Sequence, residues 1–389
     1  MLMTQSRCRV LHVVGTMNPG GLETWLLHLL ADAESACFQF DFCVCGSEAG
    51  VYDEEVERLG GKILRCPRSR GLWKFRRSFG RLLREGNYDV VHSHVLFFSG
   101  AVLRWAKDEG VPIRIAHSHN ADDGRPGTIS RLFYRKVMKS RINRYATHGL
   151  AASKLAAAEL FGKDWLSDKR FQTLDYGLNL HPFQKPFDRG TIRAEIGIPK
   201  GAPVVGHVGR FDRSKNQRFI LDTAGVVLKC NPDIHFLLIG DGPLRPEIEA
   251  SARQMGLSQR IHCIGIRTDV PRLMLAAMDV FLFPSLHEGF GLCLLEAQAA
   301  GLRCVVSDTI PREVVRVPGS VEFLALSAGK GYWSTRIIQA LDMPRLELVP
   351  AQDPNAQNNF SMQQPLCVLM GIYSMSRGPD RLVTAEQHV

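Results

Sequence analysis

The chain has 389 residues, of which 45% are hydrophobic and 22% charged, and its formal net charge is +9. This composition is typical of a folded globular protein, and the length is enough for two domains of about 150–200 residues. No apolar run approaches the roughly 18 residues of a membrane-spanning helix. Segment 1–14 has only a short apolar run broken by His12, so we expect a first strand there and no signal peptide.

The first half of the chain alternates between strand-like and helix-like segments with short connections. Such alternation is typical of a parallel sheet covered by helices. The predicted strands are 9–14, 40–45, 62–66, 89–94, 113–119, 148–153 and 171–177, and the helices include 21–33, 51–60, 72–85 and 99–109.

The alternation starts again after a Gly- and Pro-rich stretch at 177–203, which we interpret as a linker. We predict an α/β protein with two Rossmann-like parallel-sheet domains, 1–185 and 186–345. Residues 346–389 should form a polar loop, a closing helix at about 361–375 and a disordered tail. The two domains are expected to face each other across a cleft at the carboxyl ends of their strands, where open α/β sheets bind ligands.

The positive charge is concentrated in two segments. Residues 65–84 and 125–154 each contain eight basic side chains and no acidic one, whereas the rest of the chain has 32 basic and 39 acidic residues. We expect amphipathic helices within 68–84 and 129–144, with their apolar stripes packed on the sheet. The basic faces favour an anionic membrane surface. Nucleic acid would give the same charge signal, but no recognition motif accompanies it. The apolar stripes consist of Leu72, Phe75, Phe79, Leu82 and Leu83 in the first helix and Ile129, Leu132, Phe133, Val137 and Ile142 in the second.

The segment GTMNPGGLE at 15–23 joins the first strand to the first helix and begins like a P-loop. Gly15 and Gly20 have the right spacing, but Gly21 and Leu22 stand where a P-loop has lysine and Ser or Thr. The cations for any bound phosphate must therefore come from another part of the chain.

The segment HVGRFDRSKNQ provides two such cations at the end of a predicted strand. Gly209 allows the backbone to approach a ligand, and Arg210 and Lys215 follow beside a helix N-terminus. This arrangement suits a diphosphate. A pair of solvated loop residues would give the same pattern, and this segment alone does not decide between the two.

Two glutamates are eight residues apart in FPSLHEGFGLCLLEAQAAG. Glu288 lies in a Gly-containing loop and Glu296 in a predicted helix. A carboxylate can accept hydrogen bonds from two sugar hydroxyls at once, so the two glutamates could bind different hydroxyl pairs of one long ligand. Two glutamates at this spacing also occur by chance, but the flanking Pro-Ser, Gly-Phe-Gly and Ala-rich segments make chance a poor explanation.

With these motifs the chain resembles the retaining GT-B fold glycosyltransferases of the glycosyltransferase 1/4 group, and within it the bacterial exopolysaccharide and capsule enzymes. The resemblance spans about residues 8–375. The chain departs from the family at Tyr176, which precedes Gly177 where relatives often have Asn. This difference puts contacts near the domain junction in question. The matching segments are GTMNPGGLE, DVVHSH, AHSHN, LAAS, GHVGRFDRSKNQ, LLIGDGP and the long block from Ile261 to Asp308.

The resemblance implies a role for each matching residue. Arg210 and Lys215 would hold the diphosphate of a nucleotide-sugar donor in place of a metal ion, Glu288 would bind the donor sugar, and His119 would lie near the sugar and the acceptor. His119, Arg210, Lys215 and Glu288 are therefore the predicted catalytic residues. The remaining donor-binding residues would be Gly20 and Gly21 from the first domain, Gly209, Gly265, Ile266 and Arg267 at the base, Gly289, Phe290 and Gly291 at the phosphates or sugar, and Glu296 at the ribose.

Two His-x-His pairs lie at predicted strand ends, His92/His94 and His117/His119. Such pairs bind metal in some barrel-fold hydrolases, but that alternative would leave the C-terminal motifs unexplained, and we predict no metal site. We place His94 and His117 on the acceptor side, although His94 could instead pack at its strand end. We expect only one of His117 and His119 to face the cleft, on the assumption that side chains two apart on a strand point to opposite sides.

The resemblance implies a retaining, metal-independent hexosyltransferase without a cofactor, which moves a sugar from a nucleotide-diphosphate sugar, most simply a UDP-sugar, to a lipid-linked or oligosaccharide acceptor. Such a reaction belongs to exopolysaccharide, capsule or lipopolysaccharide-type biosynthesis. The cysteines show no metal-finger spacing, which favours a reduced, cytoplasmic protein. The basic helices and a lipid-linked acceptor together favour a peripheral position on the inner face of the plasma membrane. Two alternatives remain: a nucleotide-sugar epimerase or hydrolase of the same fold, and a non-catalytic nucleotide-sugar-binding protein.

Overall fold

The computed structural model describes residues 7–32, 38–120, 127–346 and 359–377. The chain forms two compact units. The first runs to Gly177 and also includes the chain from Met362 onward, and the second is Leu178–Ser361. The predicted boundary at 185 lies a few residues beyond the observed division. Most of the polar loop and disordered tail predicted for 346–389 falls on 347–358 and 378–389, which lie outside the described residues.

The first unit contains a seven-stranded sheet in which all strands are parallel, in the order β3-β2-β1-β4-β5-β6-β7. Most of these strands are buried along their length because helices cover the sheet, which explains their continuous apolar sequences. The strands are β1 Cys8–Val14, β2 Phe38–Val44, β3 Lys62–Arg65, β4 Val90–Ser93, β5 Ile113–Ser118, β6 His148–Ala151 and β7 Phe171–Thr173; the helices are α1 Gly21–Asp32, α2 Asp53–Arg58, α3 Leu72–Gly86, α4 Ser99–Asp108, α5 Ile129–Tyr145 and α6 Lys154–Phe161.

The second unit contains a parallel sheet of six strands in the order β10-β9-β8-β11-β12-β13. The predicted fold of two parallel α/β sheets is therefore confirmed. The strands are β8 Val204–Val208, β9 His235–Ile239, β10 Ile261–Cys263, β11 Val280–Phe283, β12 Arg303–Ser307 and β13 Val321–Leu324; the helices are α7 Arg189–Glu195, α8 Gln217–Cys230, α9 Arg245–Gln254, α10 Val270–Ala276, α11 Leu292–Ala299 and α12 Gly329–Asp342.

The closing helix, α13 (Gln363–Ser374), lies where the sequence predicts it, and it belongs to the first unit. Pro365 falls in its first turn, where proline costs no intrahelical hydrogen bond. Tyr373 is buried against the first sheet, and its ring makes edge contacts with Phe38 and Phe40 of β2. The first unit is thus built from two separate parts of the chain.

Each sheet has a point where the strand order reverses, between β1 and β4 in the first unit and between β8 and β11 in the second. Open α/β sheets bind ligands at the carboxyl ends of the strands at such a point. In the first sheet His12 pairs in register with His92 across this point. Most of the predicted site residues of the second unit follow β8 and β11, and Gly265, Ile266 and Arg267 follow β10.

The predicted packing of the two basic helices is wrong at their N-terminal ends. Phe75 and Phe79 of α3 and Ile142 of α5 are buried as expected, and Met138 is buried beside them. Five other apolar side chains are exposed, because the first turns of α3 and α5 extend beyond the described neighbours that could cover them. They are Leu72, Trp73 (82% exposed), Ile129 (88%), Leu132 and Phe133 (69%).

Among the described helices, none combines the length and the apolar character that a membrane crossing requires.

Candidate functional site

In the second unit, an ion pair joins two predicted site residues that are distant in sequence. Nζ of Lys215 donates to Oε1 of Glu288 at 2.5 Å, and the side chains are 20% and 9% exposed. Burial lowers the pKa of Lys215, but Glu288, with contributions from Cys293 and Asp212, more than offsets this, so that the lysine pKa is raised. The lysine is therefore a fixed cation at the carboxyl edge of the sheet.

The loop after β8 turns because Asp212 accepts hydrogen bonds from the backbone amides of Ser214 and Lys215 at 2.9 and 3.3 Å. This turn directs Lys215 back along the backbone of Gly209, where a Cβ atom would lie 3.2 Å from the lysine Cγ. Arg210, in contrast, is exposed, and its Nε lies 3.9 Å from Asp212. The loop thus carries one cation in a fixed position and one on the surface.

Two glycines of the LLIGDGP segment pack directly on this loop. A Cβ atom on Gly240 would lie 2.1 Å from the carbonyl oxygen of Gly209, and one on Gly242 would lie 2.5 Å from that of Phe211. Only glycine permits such a close backbone approach. This segment therefore packs against the backbone of the loop that carries Arg210 and Lys215 and helps to fix its position.

His207 is a structural residue of the same region. Its Nδ1 donates to the carbonyl oxygen of Leu282 at 3.0 Å, which leaves Nε2 to accept from Gln217 at 3.3 Å. Burial lowers the pKa of His207 to about 4, so the ring is neutral. Gln217 also donates to the carbonyl oxygen of Arg210 at 2.8 Å and fixes the loop.

The second glutamate, Glu296, lies on α11, which begins after Gly291 in a left-handed conformation (φ 93°). Burial raises the pKa of Glu296 to about 7. The residues before the helix, Gly289 and Phe290, are buried. Glu296 is therefore a carboxyl group whose charge is sensitive to small changes near neutral pH.

The loop predicted to hold the base, Gly265 to Asp269, is fixed by charged side chains. Arg267 makes a bidentate ion pair with Asp269 at 2.7 and 2.8 Å, and Gly265 accepts a hydrogen bond from the amide of Gly240 at 2.8 Å. Ile266 is exposed. The Arg267 guanidinium thus already has a partner, and that this loop holds the base stays a prediction.

In the first unit, five histidines form one cluster at the carboxyl ends of the central strands, which we call the histidine cluster. Four of them are buried, and the fifth, His119, is partly exposed. Desolvation by burial lowers the pKa of every member, to about 3 for His12 and His119. The rings are therefore neutral. The members are His12 on β1, His92 and His94 at the end of β4, and His117 and His119 at the end of β5.

Hydrogen bonds connect the histidine cluster to two buried tyrosines in one continuous series. A neutral imidazole has one N–H and one bare nitrogen, so within each run of histidines all hydrogen bonds must point the same way. Nε2 of His12 has no partner among the described atoms. The series begins at His12, whose Nδ1 faces Nε2 of His94 at 3.0 Å, and continues from His94 Nδ1 to His119 Nε2 at 2.7 Å. The Tyr176 hydroxyl then connects Nδ1 of His119 with Nε2 of His117, the latter at 3.4 Å. The series ends with the contacts from His117 Nδ1 to His92 Nε2 at 3.1 Å and from His92 Nδ1 to the Tyr373 hydroxyl at 2.8 Å.

The expectation that only one of His117 and His119 faces a ligand rests on an assumption that is wrong. Side chains alternate along a strand, so residues two apart point to the same side. The ring centroids of His117 and His119 are 4.0 Å apart, and those of His92 and His94 are 4.3 Å apart. Both pairs therefore belong to one cluster, and both nitrogens of His119 already have partners.

The predicted glycine loop of the first unit contains Gly20 and Gly21 and leads directly into α1. The next turn of this helix carries Trp25, whose ring stacks on Tyr176 with centroids 4.6 Å apart. The sequence singled out Tyr176 only as a departure from the family, and it missed Tyr373 and the role of His12. That the glycine loop contacts the donor stays a prediction.

Comparison with known proteins identifies the family of this chain. The family profile described as "Glycosyl transferases group 1" matches residues 202–342, and that described as "Glycosyl transferase 4-like domain" matches residues 20–170. The chain is 32% identical to EpsF of Bacillus subtilis (strain 168), an inferred glycosyltransferase, over 97% of this chain and 99% of that protein. This chain is a group 1 glycosyltransferase.

Two further relatives of this glycosyltransferase have more specific names. One is the capsular polysaccharide biosynthesis glycosyltransferase CapH of Staphylococcus aureus, 29% identical over 74% of this chain and 78% of CapH. The other is the Escherichia coli UDP-Gal:alpha-D-GlcNAc-diphosphoundecaprenol alpha-1,3-galactosyltransferase, 28% identical over 59% of this chain and 60% of that enzyme.

Among solved structures, HepE of Anabaena in complex with UDP and glucose has the same fold. It aligns with a TM-score of 0.73 and 17% identity, over 95% of this chain and 98% of HepE. The group 1 glycosyltransferase described here therefore has the GT-B fold, as the sequence predicts.

Proposed function

We propose that this glycosyltransferase transfers a sugar from a UDP-sugar to a lipid-linked or oligosaccharide acceptor in exopolysaccharide, capsule or lipopolysaccharide-type biosynthesis, with retention of the anomeric configuration and without a metal ion. The observation that carries the proposal is the ion pair between Lys215 and Glu288 at the strand-order reversal of the second sheet. This ion pair holds the Lys215 ammonium and the Glu288 carboxylate, which we propose binds the sugar, together beside the backbone of Gly209.

In this proposal the second unit binds the donor. Lys215 has three N–H donors, so it can bind a diphosphate oxygen while it keeps Glu288 as a partner. Arg210 is exposed and able to close on the other phosphate, Glu296 accepts from the ribose hydroxyls, and the backbone of 265–269 holds the base. UDP as the nucleotide is supported by the names of two similar proteins, the E. coli galactosyltransferase and the HepE complex.

Departure of the diphosphate is the step that the cations assist. As the bond from the sugar to the phosphate breaks, negative charge develops on the leaving oxygen, and a fixed ammonium stabilises that charge without reorganisation. Glu288 is paired with Lys215, which argues against its use as a free nucleophile of the kind that retaining glycosidases use. A front-face transfer that needs no protein nucleophile fits this pairing better.

The first unit would bind the acceptor and the membrane. The histidine cluster, with His94, His117 and His119, lies at the carboxyl edge of its sheet. The two basic segments meet at Phe97 and Phe98, since the Arg68 guanidinium lies 3.9 Å from the Phe98 ring centroid and that of Arg135 lies 4.8 Å from the Phe97 centroid.

Exposed apolar side chains beside these cations are typical of a surface that binds anionic lipid. We call the exposed apolar residues at the starts of α3 and α5, together with the basic residues of these helices, the basic-apolar surface. A lipid-linked acceptor would be reached there, and the protein would then be peripheral on the cytoplasmic face of the membrane.

A thermal-shift titration tests the donor site. We expect one UDP-sugar to raise the melting temperature in the presence of a chelator, since a ligand that binds the native state stabilises it. Arg210→Ala should lose this shift. Arg213→Ala, which removes an equally exposed cation from the same loop, should retain it. No shift with any nucleotide-sugar would overturn the proposed donor site.

Turnover separates transfer from the alternatives. The proposal predicts that the shifting UDP-sugar is consumed only when an acceptor is present, with the product anomer retained. Consumption without an acceptor would instead indicate a hydrolase or epimerase, and binding without consumption under any acceptor would indicate a non-catalytic protein. Loss of activity on chelation would contradict metal independence.

A further inference from the structure

We propose that the histidine cluster of the first unit is a binding site for one divalent transition-metal ion of intermediate softness, Zn²⁺ or the chemically similar Co²⁺ and Cu²⁺. The site is separate from the cation pair of the second unit, and it shares His94, His117 and His119 with the proposed acceptor side. The proposal differs from our expectation from the sequence, which was that no residues of this chain bind a metal.

The geometry of the cluster provides two overlapping groups of three ligands. In each group one ring nitrogen from every histidine lies within 4.8 Å of the other two. His94 belongs to both groups, with His12 and His92 in the inner one and His117 and His119 in the outer one. Three imidazoles with an open fourth position form a common ligand set for zinc in proteins.

The ring spacing needs little change to admit an ion. Zinc binds imidazole nitrogen at about 2.0–2.1 Å, so two tetrahedral ligands lie about 3.3 Å apart. The facing nitrogens of His12 and His94 are now 3.0 Å apart, and those of His94 and His119 are 2.7 Å apart. To hold an ion at tetrahedral geometry, the two pairs would have to separate by about 0.3 and 0.6 Å, and the rings would have to rotate so that their lone pairs converge on the ion.

The ligand type determines the metal class. Within the described part of the chain, neither group contains a carboxylate or a thiolate. Neutral imidazole suits Zn²⁺, Cu²⁺ and Ni²⁺, whereas Mg²⁺ and Ca²⁺ require oxygen ligands. The site should therefore discriminate strongly against Mg²⁺ and Ca²⁺.

The metal-free cluster leaves one polar atom without a partner. Nε2 of His12 makes no hydrogen bond to the described residues, although the side chain is fully buried. A buried polar atom without a partner costs about 1–3 kcal/mol. An ion bound at Nε2 of His12 would give this atom a partner, whereas an ion bound at Nδ1 would leave it without one. The Tyr176 hydroxyl in the middle of the series and the Tyr373 hydroxyl at its end would then orient the ligand rings from outside, as outer-shell partners of metal sites do.

Metal binding is measured on the full chain after tag removal and treatment with chelator. Equilibrium dialysis against Zn²⁺, followed by elemental analysis, should give about one ion per chain, with no competition from millimolar Mg²⁺. His94→Gln removes the ligand that both groups share and should abolish binding. His262→Gln is the matched control, because His262 forms a separate histidine pair with His235 in the second unit, at 2.8 Å, and it should bind as the wild type does.

Two more variants identify which of the two groups of three histidines binds the ion. Loss of binding in His12→Gln but not in His119→Gln assigns the ion to the inner group, and the reverse assigns it to the outer one. Equal binding by wild type and His94→Gln, or less than about 0.2 ions per wild-type chain, would overturn the proposal.

If His94→Gln fails to fold, the wild type alone decides. The electron paramagnetic resonance spectrum of the Cu²⁺-loaded protein should show hyperfine coupling to at least three nitrogens, and coupling to fewer would overturn the proposal.

Discussion

Lys215 and Glu288, 73 positions apart in the chain, share a hydrogen bond of 2.5 Å between Nζ and Oε1. The two side chains come from the loops after β8 and β11, the strands on either side of the strand-order reversal. The lysine side chain runs beside Gly209, where any larger residue would crowd it. The ammonium therefore has a defined position before a ligand binds, which keeps the reorganisation cost of binding low.

Glu288→Gln should destabilise the protein, since it leaves a largely buried ammonium without its counterion. We expect the free energy of unfolding to fall by about 1–3 kcal/mol, less than for a fully buried pair because both side chains retain some exposure. Urea denaturation measures the change. The more exposed pair Arg336–Glu322 is the control, and Glu322→Gln should cost less than about 1 kcal/mol. If Glu288→Gln and Glu322→Gln lowered the free energy of unfolding equally, burial would not be the reason for the cost of losing Glu288.

Affinity for a UDP-sugar should rise with pH, because Glu296 must be ionised to accept two ribose hydroxyls. With a pKa of about 7, the ionised fraction grows about tenfold between pH 6 and pH 8, and the dissociation constant should fall by a similar factor. Isothermal titration calorimetry measures this trend. Glu296→Gln should bind weakly at every pH, and a wild-type affinity that did not change with pH would contradict the proposed role.

The Glu296 carboxyl group should also make the protein less stable as pH rises, although the affinity for the donor rises. Its folded-state pKa lies above the ordinary value of 4.5, so the folded protein binds more protons than the unfolded chain between these two values. Stability therefore falls as pH rises from about 4.5 to about 7. We expect this part of the pH dependence to disappear in Glu296→Gln, as measured by urea unfolding at each pH; an unchanged slope would argue that Glu296 titrates normally.

Binding to anionic vesicles should depend on the exposed aromatic residues of the basic-apolar surface. Trp73→Ala and Phe133→Ala should each weaken co-sedimentation with vesicles containing phosphatidylglycerol by about tenfold, from the loss of buried apolar area. Leu166→Ala removes an apolar residue of the same unit that is also exposed (75%), and it should have no effect. Equal effects of all three substitutions would indicate a non-specific surface.

Tyr373→Phe should destabilise the first unit through a single hydrogen bond. The ring would still pack on Phe38 and Phe40, but Nδ1 of His92 would lose its 2.8 Å partner. We expect a loss of about 1–3 kcal/mol, measured by chemical denaturation. Tyr332→Phe, at an exposed tyrosine, should change stability by less than about 0.5 kcal/mol. If Tyr373→Phe left the free energy of unfolding unchanged, the series of hydrogen bonds would not be important for folding.

The order of strands and helices could be predicted from sequence because apolar periodicity is a local property. The loops that carry Arg210, Lys215 and Glu288 could be recognised because glycine and charge concentrate at strand ends. The sequence could not give the Lys215–Glu288 pair itself, since that contact depends on the order of β8 and β11 in the sheet.

The least predictable contacts lie in the first unit. Tyr373 reaches His92 from a helix at the far end of the chain, and nothing near either residue indicates this pairing. The exposure of Ile129 and Phe133 was equally hidden, because a helical apolar stripe looks the same whether or not another element covers it. The histidine cluster, however, could have been predicted if the period of two along a strand had been applied correctly.

The position of α13 has a consequence for synthesis on the ribosome. The strands of the first unit emerge before any of the second unit, yet the helix that carries Tyr373 is made only after Ser361. Domains fold as their chain becomes available, so the second unit can fold while the first unit still lacks α13. A fragment that ends at Gly177 should therefore be a poor candidate for separate expression, whereas the second unit, continuous from Leu178 to Ser361, should fold alone.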